Sequence, residues 1–192
     1  MKKLNICIDI DGTITDPYYW LDYCNDYFNT NITEKDVTEY SISQVLGINE
    51  NSYLEFYEKN KYDIHSNQKI RDDASIIINK LRSVGNIYFV TAREESLTLL
   101  THEYLKTNNI YYDNLFLLGT HHKVEKAKEL YCDIFIEDNY DNAIELSKAG
   151  FYVLLLDTNY NKKPLNDNIK RVSNWLEIYE IVKDLLLEIE AI

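Results

Sequence analysis

Short apolar runs recur along the chain and predict five β-strands buried on both faces, as parallel strands are. These runs cover residues 4–8, 87–90, 115–118, 134–136 and 151–156. Between them, apolar residues repeat every three or four positions, which predicts helices. An Asn-rich stretch over 159–168 is predicted as a loop, and Ser173 as the N-cap of a final helix. The alternation predicts an α/β fold, a doubly wound Rossmann-like parallel sheet with helices on both faces.

The interval between the first two predicted strands is too long for one crossover connection. It runs from Ile10 to Ile87, whereas a single crossover helix needs far fewer residues. A helix around 74–82 can form the crossover, so residues 16–71 are predicted to be a small helical cap inserted after the first strand. The cap contains an aromatic helix over 18–29, a capping signal at 33–36 and a second helix near 51–61. The predicted catalytic core therefore consists of residues 1–15 and 72–192.

Charge and composition restrict the classes of function. The 192 residues include 20 Lys and Arg and 32 Asp and Glu, which gives a net charge of −12. Such acidity argues against a binder of duplex nucleic acid, which needs a basic face. A small phosphorylated substrate is still compatible with this acidity, because a metal ion and a few local cations can outweigh the negative net charge of the chain.

Membrane association, secretion and disulfide formation are not expected. No apolar run approaches the ~20 residues of a membrane span, and Asp9 and Asp11 interrupt any secretory signal. The three cysteines, Cys7, Cys24 and Cys132, are odd in number and lack C-x-x-C spacing, which argues against a disulfide framework or a zinc site. A reduced, cytoplasmic protein is therefore expected.

Two carboxylates mark the end of the first predicted strand, in the sequence Asp9-Ile10-Asp11-Gly12-Thr13. In an open parallel sheet, ligands bind at the C-terminal ends of the strands. Acids at i and i+2 can both reach that crevice, and Gly12 permits the tight turn. A solvated acidic turn is the alternative interpretation of this motif alone.

Three further strand ends carry polar or charged residues. Thr91 follows the second strand and offers its hydroxyl to a phosphate oxygen or, alternatively, to a helix N-cap. Lys123 opens the helix after the third strand, where a cation opposes the helix dipole unless it faces an anion; an exposed lysine is the alternative interpretation. Glu137 and Asp138 end the fourth strand, as magnesium ligands or as acids at a helix N-terminus. Together, the four strand ends supply what a metal-assisted displacement at phosphorus by an aspartate requires.

In this order, the motifs resemble those of the haloacid dehalogenase superfamily of phosphohydrolases, and the resemblance covers the whole chain. The sequence is most similar to the 5′(3′)-deoxyribonucleotidase group and its bacterial nucleotidase-like branch, with support from segments 32–40, 118–123, 133–142 and 171–175. The animal enzymes have Ser-Pro after the motif threonine and Asp-Asp in the fourth motif, whereas this chain has Ala92-Arg93 and Glu137-Asp138. The motifs that carry the resemblance are Asp9-x-Asp11-Gly12-Thr13, Thr91, Lys123 and Glu137-Asp138.

The resemblance implies a magnesium-dependent phosphomonoester hydrolase that forms an aspartyl phosphate. Asp9 would be the nucleophile, and Asp11 would protonate the leaving oxygen and then activate water. Mg²⁺ would bind Asp9, the backbone carbonyl of Asp11, and Asp138, with Glu137 holding a metal-bound water. A phosphatase for another small ester, such as a sugar phosphate, is the alternative within this class. A non-catalytic phosphate-binding domain is the alternative outside it.

Substrate contacts are expected from both the core and the cap. Arg93 would touch the phosphate or sugar or, alternatively, form a surface ion pair. The aromatic residues of the first cap helix would stack on a nucleobase or pack the cap's own core. The predicted phosphate- and substrate-binding residues are Thr91, Ala92, Arg93, Lys123, Tyr19 and Trp20.

The four histidines are not assigned to the site, and His121 and His122 are interpreted as structural. The expected partner is a small phosphorylated substrate, a nucleoside monophosphate, with no duplex nucleic acid and no membrane. The sequence leaves the oligomeric state open, with a homodimer as one alternative.

Overall fold

A six-stranded, all-parallel sheet forms the centre of the protein, with strand order β3-β2-β1-β4-β5-β6. The computed structural model describes the backbone of residues 3–190 and the side chains of residues 3–187. The strands are β1 (Leu4–Ile8), β2 (Gly85–Thr91), β3 (Asn114–Leu117), β4 (Ile134–Glu137), β5 (Tyr152–Leu156) and β6 (Ile169–Val172). The predicted doubly wound parallel sheet is confirmed, and the five predicted strands are all present.

The sixth strand was not predicted, because its sequence is mixed. In β6, Ile169 and Val172 are buried whereas Lys170 is exposed, as expected at the edge of a sheet, where β5 is its one partner strand among residues 3–190. The final helix also begins later than predicted. The amide of Glu177 donates to the side chain of Asn174 at 3.0 Å, so Asn174 rather than Ser173 caps the start of that helix.

Eight helices are found among the described residues. They are α1 (Leu21–Phe28), α2 (Ile42–Leu46), α3 (Glu50–Ser66), α4 (Ala74–Leu81), α5 (Thr98–Thr107), α6 (Val124–Glu129), α7 (Tyr140–Lys148) and α8 (Trp175–Glu190). The crossover helix is confirmed as α4. Within residues 16–71, α1 starts three residues later than predicted, α3 is longer at both ends, and the short α2 was missed. The capping signal is confirmed, because Thr33 and Asp36 form a reciprocal capping box at a 3₁₀ turn.

The sheet separates two apolar layers because alternate side chains of each strand point to opposite faces. In β1, Ile6 and Ile8 pack on one side with α4 and α8, whereas Cys7 packs on the other side with α6 and α7. Trp175, fully buried at the start of α8, donates its indole N–H to the carbonyl of Thr13 at 3.2 Å. This bond ties the loop after β1 to the core.

Helices α1, α2 and α3 lie in the chain between β1 and α4, and two small apolar clusters form around them, one of which includes Tyr160 from the chain after β5. The chain enters and leaves this segment through a short antiparallel pairing of Thr15 with Ile70. The amide of Asp16 donates to the carbonyl of Lys69 at 2.8 Å beside it. The domain boundaries predicted from the sequence, after residue 15 and before residue 72, stay a prediction. Among residues 3–190, no helix is both long and apolar enough to cross a membrane.

Candidate active site

The loop after β1 turns tightly at Gly12, whose φ of +80° suits glycine. A Cβ on Gly12 would lie 2.7 Å from the carboxyl carbon of Asp138 and 2.7 Å from the hydroxyl of Tyr160. The Gly12 carbonyl accepts a 2.8 Å hydrogen bond from Nε of Arg71, and its amide donates to the hydroxyl of Thr15 at 2.8 Å. Glycine is therefore required here both for its conformation and for the close approach of β4.

Three buried acids converge where β1 and β4 end next to each other. Carboxylate oxygens of Asp9, Glu137 and Asp138 all lie within 4.8 Å of one another. Adjacent parallel strands bring these residues together, since the amide of Asp9 donates to the carbonyl of Ile136 at 3.0 Å. Hard carboxylate oxygens at this spacing match the ligands that Mg²⁺ prefers.

Lys123 lies inside this cluster. It is 1% exposed, contacts the carboxylate of Asp9, and donates to Glu137 Oε1 at 2.6 Å. Burial lowers the pKa of Lys123, but the charges of Asp9 and Glu137 outweigh burial and raise it above the usual range. The lysine is therefore charged at neutral pH and stands beside the predicted nucleophile.

Glu137 uses both of its oxygens in hydrogen bonds. Oε1 accepts a hydrogen bond from the side chain of Asn142 at 2.9 Å, in addition to the one from Lys123. Oε2 accepts from the backbone amides of Asp138 and Asn139, each at 3.0 Å. These bonds orient Lys123 and satisfy amides at the start of α7, where Asn139 is the N-cap. Of the two acids at the end of β4, Glu137 therefore holds Lys123 and the start of α7 in place, and Asp138 contacts the loop after β1.

Asp138 accepts hydrogen bonds from the hydroxyls of Thr13, at 2.9 Å, and Tyr160. Burial and then the charge of Glu137 raise the pKa of Asp138 to about 7, against these hydrogen bonds. Burial likewise raises the pKa of Asp9, and the charge of Lys123 opposes that shift. Lys123 pairs with Asp9 and Glu137, two of the three crowded acids, and a divalent cation would relieve the repulsion that remains. The residues therefore fit a magnesium ion.

Asp11 occupies a separate environment, beside a buried arginine. Arg93 donates from Nε to Oδ2 at 2.8 Å and from a terminal nitrogen to Oδ1 at 2.6 Å. Tyr19 donates its hydroxyl to Oδ1 at 3.0 Å. Burial raises the pKa of Asp11, but the charge and hydrogen bonds of Arg93 outweigh burial and lower it below the usual range. The guanidinium of Arg93 is buried, at 4% exposure, whereas the side chain of Asp11 is 32% exposed, so the surface ion pair considered from the sequence is wrong and the pair is half-buried.

Two residues near Asp11 had no signal in the sequence. Gln68 accepts from the guanidinium of Arg93, and His65 lies 3.6 Å from the Asp11 carboxylate. The ring of His65 is held by the hydroxyls of Tyr19, at 3.2 Å, and Tyr57, at 3.0 Å. Burial lowers the pKa of His65 to about 4, so the ring is neutral at pH 7. Only the folding of α3 against the core brings these residues to the site.

The other predicted site residues differ in how close they come to the acids. Thr91 ends β2, is 1% exposed, and accepts the amide of Arg93 at 3.2 Å, so it caps no helix. Ala92 lies between them and is half-buried. Of the two aromatic residues selected, Tyr19 reaches Asp11. Trp20 instead donates to the carbonyl of Pro17 at 2.9 Å and packs inside the α1–α3 segment.

A parallel sheet of this order, with acids, threonine and lysine at its strand ends, defines a protein of the haloacid dehalogenase-like class. A solved haloacid dehalogenase-like hydrolase from Streptococcus pneumoniae shares the fold with a TM-score of 0.72 and 13% sequence identity, over 94% of this chain and 98% of that one.

The family model described as "5' nucleotidase, deoxy (Pyrimidine), cytosolic type C protein" matches residues 2–187. The chain belongs to this nucleotidase family and is a phosphomonoester hydrolase. A Clostridium acetobutylicum protein named as a nucleotidase is 62% identical over 192 residues, the whole of both chains. A 5′(3′)-deoxyribonucleotidase of Bacillus subtilis is 28% identical over 187 residues, 93% of this chain and 97% of that protein.

Proposed function

We propose that the protein is a magnesium-dependent 5′(3′)-deoxyribonucleotidase that hydrolyses nucleoside monophosphates through an aspartyl phosphate. The observation that carries the proposal is the contact of buried Lys123 with Asp9, next to the carboxylate of Asp138. A nucleophilic carboxylate can approach a phosphate dianion only where positive charge offsets their repulsion. The family membership and the deoxyribonucleotidase relative support the choice of substrate class.

In the proposed first step, an oxygen of Asp9 attacks phosphorus and the ester oxygen leaves. Lys123 and Thr91 would hold phosphoryl oxygens, and Lys123 favours the ionised form of Asp9 that the attack requires. Asp9, Asp138 and the backbone carbonyl of Asp11 would hold Mg²⁺, which would neutralise charge and polarise the phosphoryl group. Water then releases phosphate from Asp9 and regenerates the carboxylate.

Asp11 would supply the proton for the leaving oxygen and later accept one from water. In the absence of substrate, Arg93 holds Asp11 ionised. A bound phosphoryl group would attract the guanidinium of Arg93 and place negative charge beside Asp11. Both effects raise the pKa of Asp11, so the acid gains its proton as substrate binds. The same geometry suits an ester whose alkoxide leaving group needs protonation.

A phosphate-release assay over nucleoside monophosphates and sugar phosphates, with Mg²⁺ or with chelator, tests the proposal. We expect chelator-sensitive turnover, highest on deoxyribonucleoside monophosphates. Sugar phosphates preferred by orders of magnitude would refute the nucleotidase assignment and leave a phosphatase. No chelator-sensitive turnover of any ester would favour a non-catalytic phosphate-binding domain.

Two isosteric variants separate the roles of the acids. Asp9→Asn should abolish turnover, whereas Asp138→Asn should mainly raise the magnesium concentration needed for half-maximal rate. Asp141→Asn, in the exposed first turn of α7, is the matched control and should behave as the wild type. Equal, mild effects of the first two changes would contradict the assigned roles.

The three cysteines are free and buried. A cytoplasmic, reducing location suits them and is part of the proposal.

A further inference from the structure

A tyrosine from the chain after β5 reaches the acids, and the mechanism above does not use it. Tyr160 lies in a 3₁₀ turn, Asn159–Asn161, and its side chain is buried. Its hydroxyl donates to one carboxylate oxygen of Asp138, and the hydroxyl of Thr13 donates to the other at 2.9 Å. The two donors hold the carboxylate at both oxygens, so it cannot rotate without breaking one of these hydrogen bonds.

Asn161 anchors this turn to the sheet. Its side-chain amide donates to the backbone carbonyls of Asp138, at 2.8 Å, and Leu156, at 2.7 Å, so it bridges the ends of β4 and β5. Asn161 is itself fully buried, and its side-chain and backbone oxygens both accept from the guanidinium of Arg171 in β6. These bonds fix the position of Tyr160 relative to Asp138.

The ring of Tyr160 packs against the segment between β1 and α4, which we call the insert. It belongs to one apolar cluster with Leu21, and its centroid lies 6.3 Å from that of Tyr18 in an edge-to-face contact. The hydroxyl of Tyr18 accepts the backbone amide of Asn159 at 3.0 Å, and the side chain of Asn159 donates to the carbonyl of Glu34 at 2.8 Å. The insert therefore contacts the same turn that holds the carboxylate.

We propose that Tyr160 is a positioning residue for the magnesium site and couples the packing of the insert to the affinity for Mg²⁺. This inference rests on the magnesium dependence in the proposed function. Hydrogen bonds to a ligating carboxylate fix the direction of its oxygens, and losing one lowers metal affinity roughly 10- to 100-fold. A movement of the insert that displaced the turn would shift the Tyr160 hydroxyl and loosen Asp138 in the same way. By linkage, bound Mg²⁺ would favour the packed insert by the same factor.

The test measures magnesium affinity in the absence of substrate. The melting temperature is followed from chelator to excess MgCl₂ at constant ionic strength, and the stabilisation gives the dissociation constant for Mg²⁺. We expect Tyr160→Phe, which keeps the ring and removes the hydroxyl, to raise that constant roughly 10- to 100-fold. Tyr104→Phe is the matched control and should bind Mg²⁺ as the wild type does. Tyr104 is also buried, and its hydroxyl has no hydrogen-bond partner among residues 3–187.

A second variant tests the coupling to the insert. Tyr18→Phe removes the acceptor of the Asn159 amide and leaves the hydrogen bonds of Asp138 in place. Interaction free energies between coupled residues correspond to about twofold or more in affinity. We expect Tyr18→Phe to weaken Mg²⁺ binding by that factor in the wild type and to have no effect when Tyr160→Phe is already present.

Each other outcome overturns the inference. If Tyr160→Phe lowered the melting temperature equally at every MgCl₂ concentration, with the dissociation constant unchanged, Tyr160 would serve packing alone. If Tyr18→Phe had no effect on Mg²⁺ binding, or an equal effect with and without Tyr160→Phe, the insert would not act through Tyr160. A wild type that MgCl₂ does not stabilise would refute the magnesium dependence of the proposed function, and the inference with it. That failure is distinguishable, because it appears before any variant is compared.

Discussion

Replacing Lys123 with methionine isolates the electrostatic role of the buried lysine. Methionine has a similar length and no charge, so the change leaves Asp9 and Glu137 without their shared cation. Removing one partner of a buried ion pair costs about 3–5 kcal/mol. For a protein of this size each kcal/mol shifts the melting temperature by roughly 2–4 °C. We expect Lys123→Met to lower it by roughly 6–20 °C at pH 7.5 without added metal.

The loss of stability caused by Lys123→Met should become smaller as the pH falls. Burial raises the pKa of Asp9 and the charge of Lys123 lowers it, so removing Lys123 raises the pKa of Asp9 further. A carboxyl group whose pKa is raised by folding stabilises the fold below its unfolded-state pKa, and that contribution is lost as pH rises through the folded-state pKa. Each pH unit between those values changes stability by about 1.4 kcal/mol for one proton. We expect the difference in the free energy of unfolding between variant and wild type to decrease as the pH is lowered from 7.5 to 5.5.

Thermal and urea unfolding at both pH values, in chelator, provide the measurement. Lys148→Met, at an exposed lysine in α7, is the control and should change stability by less than about 0.5 kcal/mol. The double variant Lys123→Met with Glu137→Gln should recover part of the loss, since it removes one uncompensated acid. A loss below about 1 kcal/mol at both pH values would refute the electrostatic reasoning.

Two further substitutions test the loop after β1 and the arginine at Asp11. Gly12→Ala should cost about 2–5 kcal/mol in urea unfolding, because backbone strain and overpacking against Asp138 add. Gly47→Ala, at a similar φ of +65° with open space around it, should cost only about 1–2 kcal/mol, and equal losses would contradict the steric argument. Arg93→Lys cannot keep the two-point contact with Asp11. We therefore expect kcat to fall more on an alkyl phosphate than on p-nitrophenyl phosphate, because the p-nitrophenolate leaving group needs no proton. A uniform fall on both esters would mean that Arg93 does not position Asp11.

The parts of the site that could be predicted lie on the sheet. Parallel strands end at a common edge, so acids that follow β1 and β4 must meet there, and Asp9 and Asp138 do so. Lys123 alone could equally have been an exposed lysine, and it was assigned to the site because it completes the ordered set of strand-end motifs that resembles the family. The positions of the acids need only strand order and local chemistry, whereas that of Lys123 also needed the resemblance.

The parts that could not be predicted depend on packing between segments far apart in the chain. His65 and Gln68 reach Asp11 and Arg93 only because α3 folds against the core. Sequence spacing within the insert contains no information about that contact. The role of Glu137 was hidden for a related reason, since its bonds to Lys123 and to the start of α7 depend on side-chain direction.

The charges of the site explain how a chain with a net charge of −12 can select a small anion. Exposed charges farther away than a Debye length, about 8 Å at physiological salt, are largely screened, whereas buried ones are not. Lys123 and Arg93 are 1% and 4% exposed, so their charges are screened less than surface charges, but each already pairs with a carboxylate, Asp9 or Asp11. A Mg²⁺ ion at Asp9 and Asp138 would supply the additional positive charge that a phosphoryl group requires there. A mononucleotide would lie within reach of these local cations, whereas a polynucleotide would extend beyond them along a protein of net charge −12, so the electrostatics favour the shorter ligand.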